Sequence, residues 1–250
     1  MVVSEPARDF AGYAQEFLRR NEAYRAAWRG MQRQTLARRK EQARAWGLAF
    51  SGRSRGCRSD QPALWLPACH PATLVLVAAP AGLPSLSRAA LGASLDAASP
   101  APTGSGQHVA VRAGNVWLRL LLPESHDAAQ LACIATPDRH WRLRRCALER
   151  LHGLLNATRL APRAAIDQPS SYQRYRLDLL LRLLDARRAN PAASTRDLAA
   201  TVVFPGRRFA RAIAWTSSPE RRQVHRLLRA AEALVAGGYR QLLHATSSKA

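Results

Sequence analysis

Residues 217–239 read SSPERRQVHRLLRAAEALVAGGY, and this stretch decides the fold of the C-terminal third of the chain. At about 100° of rotation per residue, an α-helix divides these residues between two faces. The apolar face holds Val224, Leu227, Leu228, Ala231, Leu234 and Val235. The opposite face holds Arg221, Arg222, His225, Arg226 and Arg229. The pattern predicts a helix that packs through one side and offers the other to negatively charged groups.

Two more helices are predicted just before this arginine-striped helix. A leucine-rich helix is expected over residues 172–188, and Asn190 followed by Pro191 ends it. Ser194 and Asp197 have the spacing of a capping box and predict a short second helix, which breaks at residues 204–206. Charges alternate along the first helix and predict a ladder on one side, formed by Arg174, Asp178, Arg182 and Asp185. Three such helices are the parts of a helix-turn-helix DNA reader.

The predicted DNA contacts lie on the striped helix and on the connector before it. The connector over residues 204–216 is longer than a tight helix-turn-helix turn, which leaves room for a basic loop. Phosphate contacts are expected from Arg207, Arg208, Arg211, Thr216 and Ser217. Base-edge contacts are expected from Arg221, Arg222, His225 and Arg226, with Arg229 on the same face. The alternative interpretation is an ordinary solvated amphipathic helix.

The overall charge agrees with a polyanionic partner. The 250-residue chain has a formal net charge of +21, with 38 basic and 17 acidic residues. Nearly all the basic residues are arginine, and biased codon usage alone could produce that excess. The positions of the arginines therefore carry more weight than their number. Residues 172–250 hold 15 basic and 5 acidic side chains, whereas residues 62–171 hold 10 and 6, so the middle is the more neutral part.

Other chemistries find little support. Cys133, His140, Cys146 and His152 have gaps that fit no common zinc pattern. Residues 125–127 read Ser-His-Asp as sequence neighbours, which is not how a catalytic triad is built, and residues 104–106 lack the lysine of a phosphate-binding loop. We therefore expect no enzyme activity, no cofactor and no metal. With no signal peptide and no long apolar run visible, we expect a cytoplasmic protein that does not enter membranes.

The remaining sequence predicts the domain organisation. Helical spacing appears over residues 10–20, and Asn21 is the expected N-cap of a second helix running from residue 22 towards residue 44. Residues 72–79 predict a strand, residues 107–112 and 115–122 a hairpin, and residues 125–160 a return to helix. The fold class is mainly α with a small α/β middle and a C-terminal helix-turn-helix-like three-helix domain. The predicted domains are residues 1–50, 51–165 and 166–250.

Two strings resemble known families. YAQEFLRRNEAYRAAW (13–28) and WGLAF (46–50) resemble a bacterial transcriptional-regulator domain with a WEFLRRNP-x-YR core, although Gln15 and Glu22 replace its usual tryptophan and proline. The C-terminal sequence, above all GGYRQLL (237–243), resembles a domain family of helix-turn-helix character and unknown function. The two domains commonly occur in one polypeptide.

The resemblance implies a regulator of integrative and conjugative elements. Such proteins act on promoters of excision or conjugative-transfer genes, or bind another regulator and block it. The leading hypothesis is a regulator whose C-terminal domain binds double-stranded DNA and whose N-terminal half contacts RNA polymerase or another transcriptional regulator. The alternative is a protein-binding antiactivator that uses the helical domain to sequester another regulator.

Overall fold

The computed structural model of the chain describes residues 8–31, 33–49, 62–95, 101–103, 106–113, 116–124, 129–156, 166–207, 209 and 215–247. Helices form both ends of the chain, and the middle holds a sheet. The predicted fold class, mainly α with a small α/β middle, is therefore confirmed. Among the helices in these ranges, none has the length and apolar character needed to cross a membrane.

The N-terminal helices are α1 (Phe10–Arg20), α2 (Glu22–Met31) and α3 (Leu36–Ala45). Asn21 caps α2 as predicted, because its Oδ1 accepts a hydrogen bond from the backbone N–H of Tyr24 at 2.9 Å. The single helix expected from residue 22 towards residue 44 is wrong, since the chain turns between Met31 and Leu36. A continuous helix would separate Tyr24 and Trp46 by about 33 Å. The turn instead brings their ring centroids to 5.4 Å, where they pack edge to face.

The sheet in the middle has six strands in the order β2-β6-β1-β5-β4-β3. They are β1 (Leu74–Ala78), β2 (Leu86–Ser87), β3 (Ala101–Thr103), β4 (Gly106–Ala113), β5 (Val116–Leu122) and β6 (Gln130–Ile134). Strands β1 and β5 are parallel, and the other neighbouring pairs are antiparallel. The predicted strand over residues 72–79 and the predicted hairpin are confirmed as β1 and the β4–β5 pair. The expected turn residues Gly114 and Asn115 lie outside the described residues.

Two helices, α4 (Arg88–Leu95) and α5 (Trp141–Leu155), contribute Leu91 and Leu143 to the hydrophobic core beside this sheet. The helical interpretation of residues 125–160 is correct for α5 but wrong for its first part, which includes β6. Strand β6 exists because it pairs with β1 from Val75 to Ala78 and buries Leu131 completely. That pairing joins distant residues, so local spacing does not reveal it.

The C-terminal helices are α6 (Ser171–Ala189), α7 (Thr195–Leu198), α8 (Pro219–Ala233) and α9 (Tyr239–Leu242). The predicted capping box opens α7, with Ser194 and Asp197 bonding each other's backbone N–H groups. Helix α7 continues as a π-turn to Val203. The arginine-striped helix is α8, and a second π-turn joins it to α9. In that turn, Gly237 adopts a φ of 140°, a conformation that favours glycine, so the regular helix ends near the predicted C-cap.

One hydrophobic core combines the two ends of the chain. Helix α1 contributes Tyr13 and Phe17, which pack with Trp65, with Leu180 of α6 and with Tyr239 of α9. All five side chains are at most 2% exposed. This core therefore takes residues from each of the predicted domains 1–50, 51–165 and 166–250. A separate core below α8 belongs to the C-terminal helices alone.

The acidic residues of α6 serve the packing of α1. Asp178 accepts a hydrogen bond from the Tyr13 hydroxyl at 2.8 Å, and Asp185 receives two bonds from the guanidinium of Arg20 at 2.7 and 2.8 Å. Within the described residues, the predicted ladder is wrong in its pairing, because these carboxylates meet α1 rather than arginines of their own helix. The tertiary contact takes precedence because exposed pairs along one helix contribute only a few tenths of a kcal/mol, about 0.3–0.5.

A buried ion pair joins α1 to the sheet. Asp9 caps α1 by accepting from the Gly12 N–H at 2.6 Å, and it also accepts from Arg119 Nη1 at 3.0 Å. Arg119 lies on β5 and donates Nε to the carbonyl of Ala63 at 3.0 Å. Burial by itself raises the pKa of Asp9, but the Arg119 charge and these hydrogen bonds outweigh it and hold the pKa below the ordinary 3.8. The carboxylate is therefore charged and compensated inside the protein.

A second buried ion pair lies beside the first. Arg150 of α5 pairs with the carboxylate of Asp167, and both side chains are largely buried. The backbone carbonyl of Asp167 accepts from the Phe10 N–H at 3.2 Å. The segment that leads into α6 is thus connected both to α5 and to the first turn of α1.

We expect Arg119→Met to destabilise the fold by about 3–5 kcal/mol, because it leaves the Asp9 carboxylate buried without its partner. Urea unfolding followed by circular dichroism measures the change. The matched control is Arg145→Met, which removes an exposed ion pair with Glu149 and should cost less than about 1 kcal/mol. An Arg119→Met loss no larger than that of the control would contradict the assigned role of the buried pair.

The structure also predicts a loss of stability in weak acid. Burial, together with the nearby Arg119 charge, lowers the pKa of His70 from 6.5 to about 3. The folded imidazole stays neutral while the unfolded one takes up a proton below pH 6.5, so the free energy of unfolding falls as the pH drops from 6.5 towards 3. The slope from His70 is about 1.4 kcal/mol per pH unit. His70→Gln should reduce the fall between pH 6.5 and 4.5, whereas His152→Gln, at an exposed site, should not. Equal slopes in the two variants would contradict the prediction.

Candidate nucleic-acid interface

The two faces predicted for α8 are present in the structure. Val224, Leu228 and Ala231 are at most 5% exposed and point into the protein. On the other side Arg222, Arg226 and Arg229 are exposed. The predicted base readers Arg221 and His225 are half-buried at the edge of this face. The described part of the predicted site therefore forms one surface along a single helix.

Packing below α8 determines which of its faces is available. Val224 and Leu228 share a core with Leu183 of α6 and with Leu198 and Val203 of the α7 segment. Helices α6, α7 and α8 thus contact one another around one apolar centre. Because the apolar face is occupied by this core, rotation of α8 would expose leucine and bury arginine. The arginine face is held outward by the cost of that exchange.

The first turn of α8 is capped one residue later than expected. Ser218 Oγ accepts from the Arg221 N–H at 3.1 Å and donates to the Trp215 carbonyl at 2.9 Å. Pro219 occupies the first helical position, which suits its missing N–H. Thr216 and Ser217, expected at the helix N-terminus, are exposed and precede the cap. The Ser-Pro-Glu order of residues 218–220 is the signal that could have identified this cap from sequence.

Two predicted base readers fold back along the preceding turn. Arg221 Nη1 donates to the carbonyl of Thr216 at 2.8 Å, and Arg222 Nη1 donates to the carbonyl of Ser217 at 3.1 Å. A guanidinium has five N–H donors in a planar fork. These bonds therefore leave donors on both side chains for an external acceptor and restrict the orientations that each side chain samples.

Arg207 lies against the start of α8. Its Nη2 pairs with Glu220 at 2.8 Å, and its guanidinium lies 5.7 and 6.0 Å from the ring centroids of Phe204 and Phe209. Phe209 packs edge to face on Trp215 at 4.9 Å, which connects this arginine to the core below α8. The structure thus gives Arg207 partners that sequence reasoning did not foresee. Arg208 and Arg211, predicted as phosphate contacts, lie outside the described residues.

The charge on the exposed face is not neutralised by neighbouring acids. The two acids of α8 are engaged elsewhere, since Glu220 pairs with Arg207 and Glu232 pairs with Arg187 of α6. In the described ranges, the ion pairs of the protein do not include Arg222, Arg226 or Arg229. An exposed, uncompensated row of guanidinium groups on a firmly packed helix is the footprint of a nucleic-acid-binding protein.

Metal chemistry does not arise from the predicted cysteine and histidine series. Burial raises the pKa of the Cys133 and Cys146 thiols to about 11, which keeps them protonated and makes them poor metal ligands. Among the described residues, no group of three or more His, Cys, Asp or Glu side chains comes together in a metal-binding arrangement.

Two protein families match the chain and agree with this class. Residues 134–244, which include α5 to α9, match a family described as a T6SS transcription factor, DNA-binding domain, of the RovC type. Residues 7–51, which include α1 to α3, match a proteobacterial transcriptional regulator-like domain. No curated protein matches the chain. Both resemblances expected from the sequence motifs are confirmed, and both families are transcriptional-regulator rather than enzyme families. The chain is similar to transcriptional regulators at both ends, and the C-terminal match supports DNA as its partner.

Ser218→Ala should destabilise the protein by about 1 kcal/mol, because it removes the N-cap of α8 while leaving the arginine face in place. Urea unfolding measures the loss. Ser217→Ala is the matched control, since Ser217 is the adjacent exposed serine outside the helix, and it should change stability by less than about 0.5 kcal/mol. If Ser217→Ala were the more destabilising change, the cap would be assigned to the wrong residue.

Proposed function

We propose that this protein is a DNA-binding transcriptional regulator in which α6, α7 and α8 act as a helix-turn-helix-like unit. Helix α8 would enter the major groove as the recognition helix. The observation that carries the proposal is the separation of buried Val224 and Leu228 from exposed Arg222, Arg226 and Arg229 on one helix. The matched DNA-binding domain contains all of these residues and supports the same partner.

The geometry suggests different roles for the two parts of the surface. Arg222 and Arg226 are exposed near the start and middle of α8, where base edges would be read, with Arg221 and His225 beside them. Arg229 would meet a phosphate one turn further along. The exposed Thr216 and Ser217 precede the helix and would also meet phosphate. Arg208 and Arg211 keep the same proposed role.

Arg207 would contribute mainly by positioning. Its bond to Glu220 and its place over two phenylalanine rings hold the connector against the first turn of α8. The side chain is 56% exposed, so a phosphate could approach its remaining donors without breaking the ion pair. The long connector would then form part of the interface together with the recognition helix.

A second candidate function is an antiactivator that sequesters another regulator. The observation that favours it is the pair Tyr172 and Tyr175 on α6, which are 71% and 58% exposed. Exposed aromatic side chains one turn apart are frequent anchors in protein interfaces. RNA polymerase or another transcriptional regulator would be the partner, and contact through these tyrosines is compatible with DNA binding through α8.

The proposed targets are promoters of excision or conjugative-transfer genes in a mobile element. This part of the proposal rests on the resemblance of residues 13–28 and 237–243 to regulators of such elements. Genes for an integrase or for conjugation beside the coding sequence would support it. A location among unrelated genes would count against it while leaving the DNA-binding proposal intact.

Fluorescence anisotropy with the full-length protein and a mixed-sequence DNA duplex tests the DNA-binding proposal. Arg222→Ala/Arg226→Ala should weaken binding and reduce the slope of log K against log salt concentration by about 0.9 for each lost phosphate contact. A loss confined to one preferred sequence, with an unchanged salt slope, would instead indicate base reading.

The matched control is Arg142→Ala/Arg145→Ala, which removes the same charge from the exposed side of α5. It should bind DNA nearly as well as the unmodified protein. If the unmodified protein shows no salt-dependent binding, or if both double variants lose affinity equally, α8 is not a DNA-reading helix.

A further inference from the structure

A second basic surface lies on α2 and α3. Residues 22–45 carry seven basic and two acidic side chains. Arg29, Arg33, Arg38 and Arg44 are exposed, and Arg25 is half-buried. We call these five residues the α2–α3 surface. It lies in the part of the chain that matches the proteobacterial transcriptional regulator-like domain.

Acidic residues compensate other arginines but not these. Arg20 pairs with Glu16, and Arg144 pairs with Asp138 at 2.8 Å. In the part of the chain that the structure describes, no ion pair involves a residue between 22 and 45. A compositional excess of arginine would not by itself direct the acids to the other surfaces. The α2–α3 surface shares this lack of compensation with the exposed face of α8.

Helix α3 has little structural reason for its charge. Ala43 is buried at 1% exposure, whereas Arg38 and Arg44 project into solvent. The like charges along the helix repel one another and reduce its stability, since similar charges at i,i+4 spacing are unfavourable. A surface that retains such charge is better explained by an external anion than by folding.

The α2–α3 surface is held in a fixed relation to α8. Trp28 and Trp46 pack in the same core as Leu227 and Leu234, which lie on α8 and on the turn after it. Because α8 and the N-terminal helices share this core, their basic surfaces move as one body.

Three hydrogen bonds reinforce the connection between the two surfaces. Asn21 Nδ2 donates to the Val235 carbonyl at 2.7 Å, and the Tyr239 hydroxyl donates to the Trp46 carbonyl at 3.1 Å. Arg240 Nη2 donates to the carbonyl of Ala45, the last residue of α3. The end of α3 is therefore tied directly to α9.

We infer that the α2–α3 surface is a second DNA contact, which binds the phosphate backbone beside the segment met by α8. The inference rests on the proposed function and extends its footprint. The contact would neutralise phosphates without reading sequence, because phosphate contacts fix position and orientation on the duplex. The protein would then cover more of the duplex than the recognition helix alone.

The surface fits DNA better than it fits a protein partner. Among the described residues, the exposed large apolar side chains lie elsewhere, at Leu83, Ile134, Trp141, Tyr172 and Tyr175. Protein interfaces are depleted of charge at their centre and anchored by aromatic residues. The α2–α3 surface has exposed arginines without such anchors, which is the composition of a phosphate-binding surface.

The test compares two mixed-sequence duplexes with the full-length protein, of about 15 and about 40 base pairs, or roughly one and a half and four helical turns. Arg38→Ala/Arg44→Ala should bind the long duplex about tenfold more weakly at low salt and lower the salt slope by about one to two units. On the short duplex, which offers little room beside α8, the loss should be much smaller. Arg38→Lys/Arg44→Lys should retain most of the affinity, because a phosphate accepts either cation.

Arg142→Ala/Arg145→Ala again controls for net charge, and thermal unfolding of each variant checks that it is folded. Unchanged affinity and salt slope in Arg38→Ala/Arg44→Ala would overturn the inference, provided that Arg222→Ala/Arg226→Ala weakens binding. If the unmodified protein does not bind DNA, the proposed function itself fails. Unimpaired DNA binding together with lost binding of RNA polymerase would overturn the inference in favour of a protein partner.

Discussion

The burial of α1 between the two other parts of the chain is the constraint on which the rest of the structure depends. On one side, its N-cap Asp9 pairs with Arg119 inside the protein and connects the helix to the sheet. On the other side, Tyr13 donates to Asp178 of α6 while its ring lies in the shared core. A charged pair in such a place is costly to dehydrate and is tolerated only with good geometry and further hydrogen bonds, which Gly12 and Ala63 supply. The position of α8 relative to the N-terminal helices follows from this arrangement.

The same arrangement determines where positive charge remains uncompensated. The protein has 17 acidic residues for 38 basic ones, so each acid that enters a tertiary contact leaves other arginines unpaired. Asp185 is committed to Arg20, Glu220 to Arg207 and Glu232 to Arg187. The exposed face of α8 and the surface of α2 and α3 are left positive. A polyanion is the partner that both surfaces fit, and the family matches agree with DNA as that partner.

Features with a local cause could be predicted well. Helix caps depend on residues three apart, so Asn21 and the Ser194–Asp197 capping box were identifiable, and the two faces of α8 follow from spacing along one helix. Features with a non-local cause could not be predicted. Strand β6 forms only because β1 lies beside it, and α2 ends so that Trp46 can return to Tyr24. The carboxylates of α6 were assigned to their own helix because sequence spacing gives no sign of α1. In the candidate site, the partnership of Arg207 with Glu220 was missed for the same reason.

The sequence by itself determined the class of fold, the amphipathic character of α8 and the excess of arginine that any partner must meet. It did so because helical periodicity and capping act over one or two turns of chain. Only the tertiary structure decided which arginines are free and which surfaces are held together. Acids distant in sequence neutralise some guanidinium groups and not others, and the core around α1 fixes α8 and the α2–α3 surface in one body. Both outcomes depend on contacts between residues far apart in the chain, and these exist only after folding.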